Sequence, residues 1–161
     1  MTVTSVDKDF DNLTLTLIAD FPAPVERVWQ LWADPRQLER WWGPPTFPAT
    51  MEVHELRVGG DVKYYMTGPD GEKYHGWWKV DAVDEPNSLE FTDGFADQDG
   101  NPADSMPTTK GHVRLSEHEG GTRMEMLSRF ESREDMDQLD KMGMSEGLKL
   151  AVGQIDALLA A

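Results

Sequence analysis

The sequence predicts an α+β domain in which a curved antiparallel sheet wraps a long C-terminal helix, with two short helices after the first strand. Three observations predict it. From Met144 to Ala161, Met144, Leu148, Ala151, Val152, Ile155, Leu158 and Leu159 recur at steps of three and four, the period of a helix with one apolar face. Most of the preceding chain reads as short alternating strands, whose apolar side is the natural cover for that face. Between the first of these strands and the rest stand two proline-opened, tryptophan-bearing segments that read as helices.

After a polar lead, Leu13, Leu15, Leu17 and Ala19 alternate with Thr14, Thr16 and Ile18 in a half-buried strand that Pro22 and Pro24 end. Pro24 suits the first turn of a helix carrying Val25, Val28, Trp29 and Trp32 on one side. Asp34 is placed as N-cap and Pro35 as the first residue of a second short helix through Trp42, which Gly43-Pro44-Pro45 stops. From there to residue 130 a meander of strands is expected. A weak alternation through Met51, Val53 and Glu55 ends at Gly59-Gly60. Val62, Tyr64 and Met66 then share a face, and beyond the Gly68-Pro69-Asp70-Gly71 turn Gly76, Trp78, Val80 and Ala82 share the returning one. In that hairpin Trp78 belongs inside and Trp77, with His75, Lys79 and Asp81, outside. Leu89, Phe91 and Asp93 form another strand, while Val113 with Leu115 and Met124 with Met126 flank a turn at His118-Glu119-Gly120-Gly121. Residues 95–108 are too polar and proline-rich for regular structure; they read as a lid or a disordered loop, with disorder favoured. Ser132 and Asp135 resemble a capping box opening a helix to about Lys141, and Ser145 reads as the N-cap of the terminal helix.

With 161 residues and 39% apolar content, the chain fits one domain, residues 1–161, with a structured core of about 13–160. No apolar run approaches a membrane span, and the polar start lacks the basic and apolar regions of a signal peptide, so the cytoplasm is the expected location. The absence of cysteine excludes disulfides, thiolate nucleophiles and cysteine-ligated metals. A formal charge of −15 would repel phosphate backbones and anionic headgroups, which excludes nucleic acid and membranes as expected partners.

Gly143-Met144-Ser145-Glu146-Gly147 formally matches the nucleophile elbow of hydrolases, but no strand precedes Ser145 and the last histidine is His118. No two of His54, His75, His112 and His118 have zinc-binding spacing, and no metal is expected. Asp97, Asp99 and Asn101 suggest a calcium loop, but Gly100 falls at its fourth position and Thr108 replaces the required glutamate. No phosphate-cradling motif supports a nucleotide, and no cofactor is expected. Trp29, Trp32, Trp41, Trp42, Trp77 and Trp78, joined by Met51, Met66, Met124, Met126, Met142 and Met144, suit either a packed core or the lining of a ligand cavity.

The segment Pro22-Ala23-Pro24-Val25-Glu26-Arg27-Val28-Trp29, with Asp34-Pro35 leading to Arg40-Trp41-Trp42-Gly43-Pro44, resembles the START-like (SRPBCC) superfamily, in its branch similar to the activator of heat-shock-protein-90 ATPase. Val58-Gly59-Gly60, Gly68-Pro69-Asp70-Gly71, Leu89-Glu90-Phe91-Thr92, Gly120-Gly121-Thr122 and Met142-Gly143-Met144-Ser145-Glu146-Gly147 follow in the order of that branch, so the resemblance spans roughly residues 13 to 160. It implies a helix-grip fold with a hydrophobic cavity between sheet and terminal helix. It implies no catalytic residues, because the branch has no universal catalytic motif, and the superfamily's members range from lipid carriers to cyclases and co-chaperone domains.

The expected function is therefore non-enzymatic binding of a small hydrophobic or aromatic molecule. The expected lining is Trp32, Tyr64, Met66, Trp78, Phe91, Met126, Met144, Leu148 and Val152, with Tyr64 and His54 orienting a polar group. Two alternatives stand beside it. One is a cyclase or dehydratase in which His54, Tyr64 or Asp93 moves protons on an aromatic precursor. The other is an interaction module that contacts a chaperone, or a second copy in a homodimer, through the face carrying Trp77.

Overall fold

The computed structural model describes residues 3–160. Its strands are β1 (Val3–Asp9), β2 (Thr14–Phe21), β3 (Ala49–His54), β4 (Asp61–Thr67), β5 (Lys73–Asp84), β6 (Ser88–Phe95), β7 (Thr109–His118) and β8 (Gly121–Phe130). The helices are α1 (Val25–Ala33), α2 (Pro35–Trp42), α3 (Arg133–Lys141), α4 (Met144–Val152) and α5 (Ile155–Ala160). The eight strands form one curved antiparallel sheet in the order β1-β2-β8-β7-β6-β5-β4-β3. The helices at the C-terminus cover its inner face, as a START-like helix-grip fold requires.

Local chemistry explains most boundaries. Asp34 caps α2, its Oδ1 accepting from the Arg36 N–H at 2.9 Å while Pro35 occupies the first helical position. Ser132 caps α3 by accepting from the Asp135 N–H at 3.1 Å. Strand parity places Leu15, Leu17, Ala19 and Phe21 of β2 in the core opposite half-exposed neighbours. The C-terminal segment is tied to α2 by Gln154, whose Nε2 donates to the carbonyl of Gly43, the residue after α2, at 2.7 Å.

Five expectations change. The polar lead forms an edge strand, β1, paired with β2 over Val3–Asp9, so the two helices follow the second strand; Leu13, at φ 57°, belongs to the intervening turn. A strand this polar has no periodic signal because neither of its faces is buried. The terminal helix is divided at Gly153 and Gln154, where Gln154 N–H bonds to the Ala151 carbonyl and tightens the turn. Residues 95–108 are folded: Asp97 Oδ1 accepts from the N–H groups of Asp99 and Asn101, both at 2.9 Å, and the Ala103 N–H bonds to the Phe95 carbonyl at 2.8 Å. Ala82 is not on the inner face. The pairing shifts between Val80 and Ala82, so Asp81 is an inserted residue and Val83, paired with Leu89, takes the inward position.

The fifth change concerns Ser145. The residue that opens α4 is Gly143, at φ 84°, and no side chain caps the helix; Ser145 lies within the first turn. Ser145→Ala is therefore expected to change stability by less than about 0.5 kcal/mol, and a loss of about 1 kcal/mol or more in a denaturant titration would restore a capping role.

Candidate functional site

Bulky aromatic side chains on a sheet normally stand away from it and fill the space under a covering helix. Here two glycines let them lie down. Gly76 pairs with Tyr64 across β4 and β5, and a Cβ on Gly76 would fall 2.5 Å from the Tyr64 ring. Gly111 pairs with Phe91 across β6 and β7, and its Cβ would come within 2.8 Å of the Phe91 ring. With Tyr64 and Phe91 folded over these glycines, a pocket of about 330 Å³ remains between the sheet and α4. Phe91, Val113 and Met126 form its floor, and Leu139, Met144 and Leu148 its helical side. Tyr74, Pro107 and Met142 border it where Tyr74 and Met142 are exposed to solvent. On α4 Gly147 also borders the pocket, and a Cβ there would meet nothing within 4 Å.

The ten residues expected at the site fall in three places. Tyr64, Met66, Phe91, Met126, Met144 and Leu148 border the pocket. Trp32, Trp78 and Val152 are fully buried behind it, in the core. Trp78 stacks under Phe91, centroids 4.1 Å apart and planes 16° from parallel, so its inward parity is right while Phe91 separates it from the pocket. His54 is elsewhere: its Nε2 lies 3.0 Å from the Trp32 carbonyl and ties β3 to α1. Trp77 lies on the outer face, as parity requires, but it is half-buried across Gly94, with Nε1–H donating to the Phe95 carbonyl at 2.9 Å.

Two residues outside that set add to the pocket's polarity, and Thr109 and Ser128 border it as well. Trp42, the last residue of α2, reaches it edge-on to Trp78 and Tyr64, at centroid distances of 4.9 and 6.2 Å. Asp93 follows Leu89 and Phe91 at inward parity on β6, and its remaining exposure is to the pocket. A carboxylate in an inward register was the signal for it. Burial pushes the Asp93 carboxyl up to about 7, against the Tyr64 hydroxyl and the Gly94 N–H, which pull it down. Burial, followed by the neighbouring Asp93 charge, holds the Tyr64 phenol well above its ordinary range. The indole N–H groups of Trp32, Trp42 and Trp78 are buried without a hydrogen-bond partner. Among the described residues, no group of three or more His, Asp or Glu side chains is placed to hold a metal.

The family described as Activator of Hsp90 ATPase homolog 1-like protein matches residues 22–160. The chain belongs to this family. Protein Ms6760 from Mycobacterium smegmatis is 54% identical, with 98% of this chain and 96% of that one covered and a TM-score of 0.91. A protein from Arthrobacter aurescens is also 54% identical over 99% of this chain and 92% of that one, with a TM-score of 0.95. At 23% identity the AHSA1 protein from Silicibacter pomeroyi, with 91% and 97% of the two chains covered and a TM-score of 0.74, shares the fold. No curated protein matches the chain. Among the described residues, no helix is long and apolar enough to cross a membrane.

Proposed function

We propose that the protein binds one small hydrophobic or aromatic molecule in this pocket, in the cytoplasm, as a carrier or receptor rather than an enzyme. The observation that carries this reading is an apolar pocket bordered by a helical residue, Gly147, that leaves space where any other residue would fill it. A volume of about 330 Å³ lies at the small end of ligand sites, which suits a ligand of two or three rings better than a two-chain lipid. Gly147 stands inside α4 without positive φ, so its backbone has no need of glycine.

Gly147→Ala is accordingly expected to raise stability by about 0.5–1 kcal/mol through helix propensity, read as a higher denaturation midpoint. Gly147→Trp should place an indole in the pocket and weaken binding of the neutral dye N-phenyl-1-naphthylamine at least about tenfold, a change of about 1.4 kcal/mol. Undiminished dye binding by a folded Gly147→Trp protein would refute the pocket as the binding site.

A further inference from the structure

The pocket wall is largely apolar; Tyr64 of β4, Asp93 of β6 and Trp42 of α2 border it together, and the hydroxyl residues Thr109 of β7 and Ser128 of β8 line it as well. Each of these can present a proton. The indole N–H groups of Trp42 and Trp78 lie close enough to the Tyr64 hydroxyl to favour its ionised form, but neither completes a hydrogen bond, and an indole N–H can only donate. A buried donor left unpaired is costly, so an acceptor brought to this end of the pocket gains more than it would in water. Tyr64 stays protonated at neutral pH because burial opposes its ionisation. Asp93 is a donor in the acidic half of the physiological range for the same reason.

The surroundings offer no competing charge. Asp93 pairs across the sheet with Trp78 and Thr109, and the helical flank presents Leu139, Met144, Gly147 and Leu148. The other titratable residues bordering the pocket are Tyr74, His75 and His112. His75 and His112 stand at the parity opposite to Gly76 and Gly111, His75 lies against the Tyr65 ring at 5.6 Å, and Tyr74 is exposed at the edge. A carboxylate ligand would meet neither a cation nor an arginine here, and it would approach a protein of formal charge −15.

Resting on the pocket as a binding site, we propose that it selects an uncharged, largely apolar molecule carrying a carbonyl oxygen, seated so that this oxygen meets Tyr64, Asp93 and Trp42. The pairing of a flat apolar floor with a cluster of donors at one end fixes both the burial and the orientation of such a ligand. Selection acts against the hydrocarbon, which leaves the donors unpaired, and against the carboxylate, which Asp93 repels once ionised.

The test is quenching of tryptophan fluorescence by 2-acetylnaphthalene, 2-ethylnaphthalene and 2-naphthylmethylamine between pH 5.5 and 8.5. At pH 6 the ketone should bind at least about tenfold more tightly than the hydrocarbon, a difference of about 1.4 kcal/mol. That preference should shrink severalfold by pH 8.5 in the wild type and persist in Asp93→Asn, whose amide still donates. Asp93→Ala should lower it severalfold at both pH values. Equal binding of ketone and hydrocarbon at pH 6 would overturn carbonyl selection while leaving the pocket as a binding site. Tighter binding of the amine, rising with pH, would overturn it in favour of a cation site. Failure of all three probes to bind would overturn the pocket reading itself.

Discussion

Asp93→Asn should make the protein markedly more stable than wild type at pH 8.5, with about a quarter of that gap remaining at pH 4.5. Burial raises the Asp93 carboxyl from the ordinary 3.8 to about 7, so the folded protein binds this proton more tightly than the unfolded chain does. Unfolding therefore releases a proton between those two values, and stability falls as pH rises through the window, levelling off above about 7. A separation of about three pH units at about 1.4 kcal/mol each sets the loss at roughly 4 kcal/mol. The amide fills the same space without a charge and removes this slope. Asp20, held below its ordinary value chiefly by the Arg123 guanidinium, and Asp34, held down chiefly by Gln37, act with the opposite sign and in a separate range, losing their contribution as pH falls below about 4. Denaturation midpoints for both proteins at pH 4.5, 6.5 and 8.5 provide the check. Parallel curves for wild type and Asp93→Asn would mean that Asp93 is hydrated enough in the pocket to ionise normally.

The second large effect is expected at Trp78. Its ring is fully buried, stacked on Phe91 at 4.1 Å and edge-on to Trp42 at 4.9 Å, so Trp78→Ala opens a cavity beneath two residues of the pocket. The expected loss is about 3–5 kcal/mol. Its N–H has no partner in the structure, so the loss is one of packing, and Trp78→Phe should restore more than half of it. Dye affinity should fall as well, through collapse of Phe91 and Trp42 into the space. Trp77→Ala, by contrast, removes one hydrogen bond to the Phe95 carbonyl and the cover over Gly94, for about 1–2 kcal/mol. A protein that tolerates Trp78→Ala better than Trp77→Ala in urea titrations would place the strand in the wrong register.

These two tryptophans mark the boundary between what periodicity reports and what it cannot. Alternation along β5 places Trp78 inward and Trp77 outward, because successive side chains must leave a strand on opposite sides. It says nothing of depth. Whether an inward ring borders a pocket or lies beneath another ring depends on the partners that register brings beside it. Phe91 can lie across Gly111, and Tyr64 across Gly76, only in the pairing that β6–β7 and β4–β5 adopt.

By itself the sequence determined the helix-grip architecture, the caps at Asp34 and Ser132, and the inward set from which the pocket is drawn. The caps and the faces are local: a cap is a hydrogen bond spanning two or three residues, a face is a repeat of two or 3.6, and the order of those faces along the chain points to the architecture. Only the tertiary structure decided that His54 bonds to the Trp32 carbonyl of α1, that Trp32, Trp78 and Val152 lie in the core behind the pocket, and that Asp93 and Trp42 both border it beside Tyr64. It also decided the strand at Val3–Asp9 and the ordered turn at Asp97, whose stability comes from pairing with β2 and from backbone amides gathered on one carboxylate. These features arise from segments tens of residues apart sharing space, and hydrophobic alternation carries no record of which segment will be the neighbour.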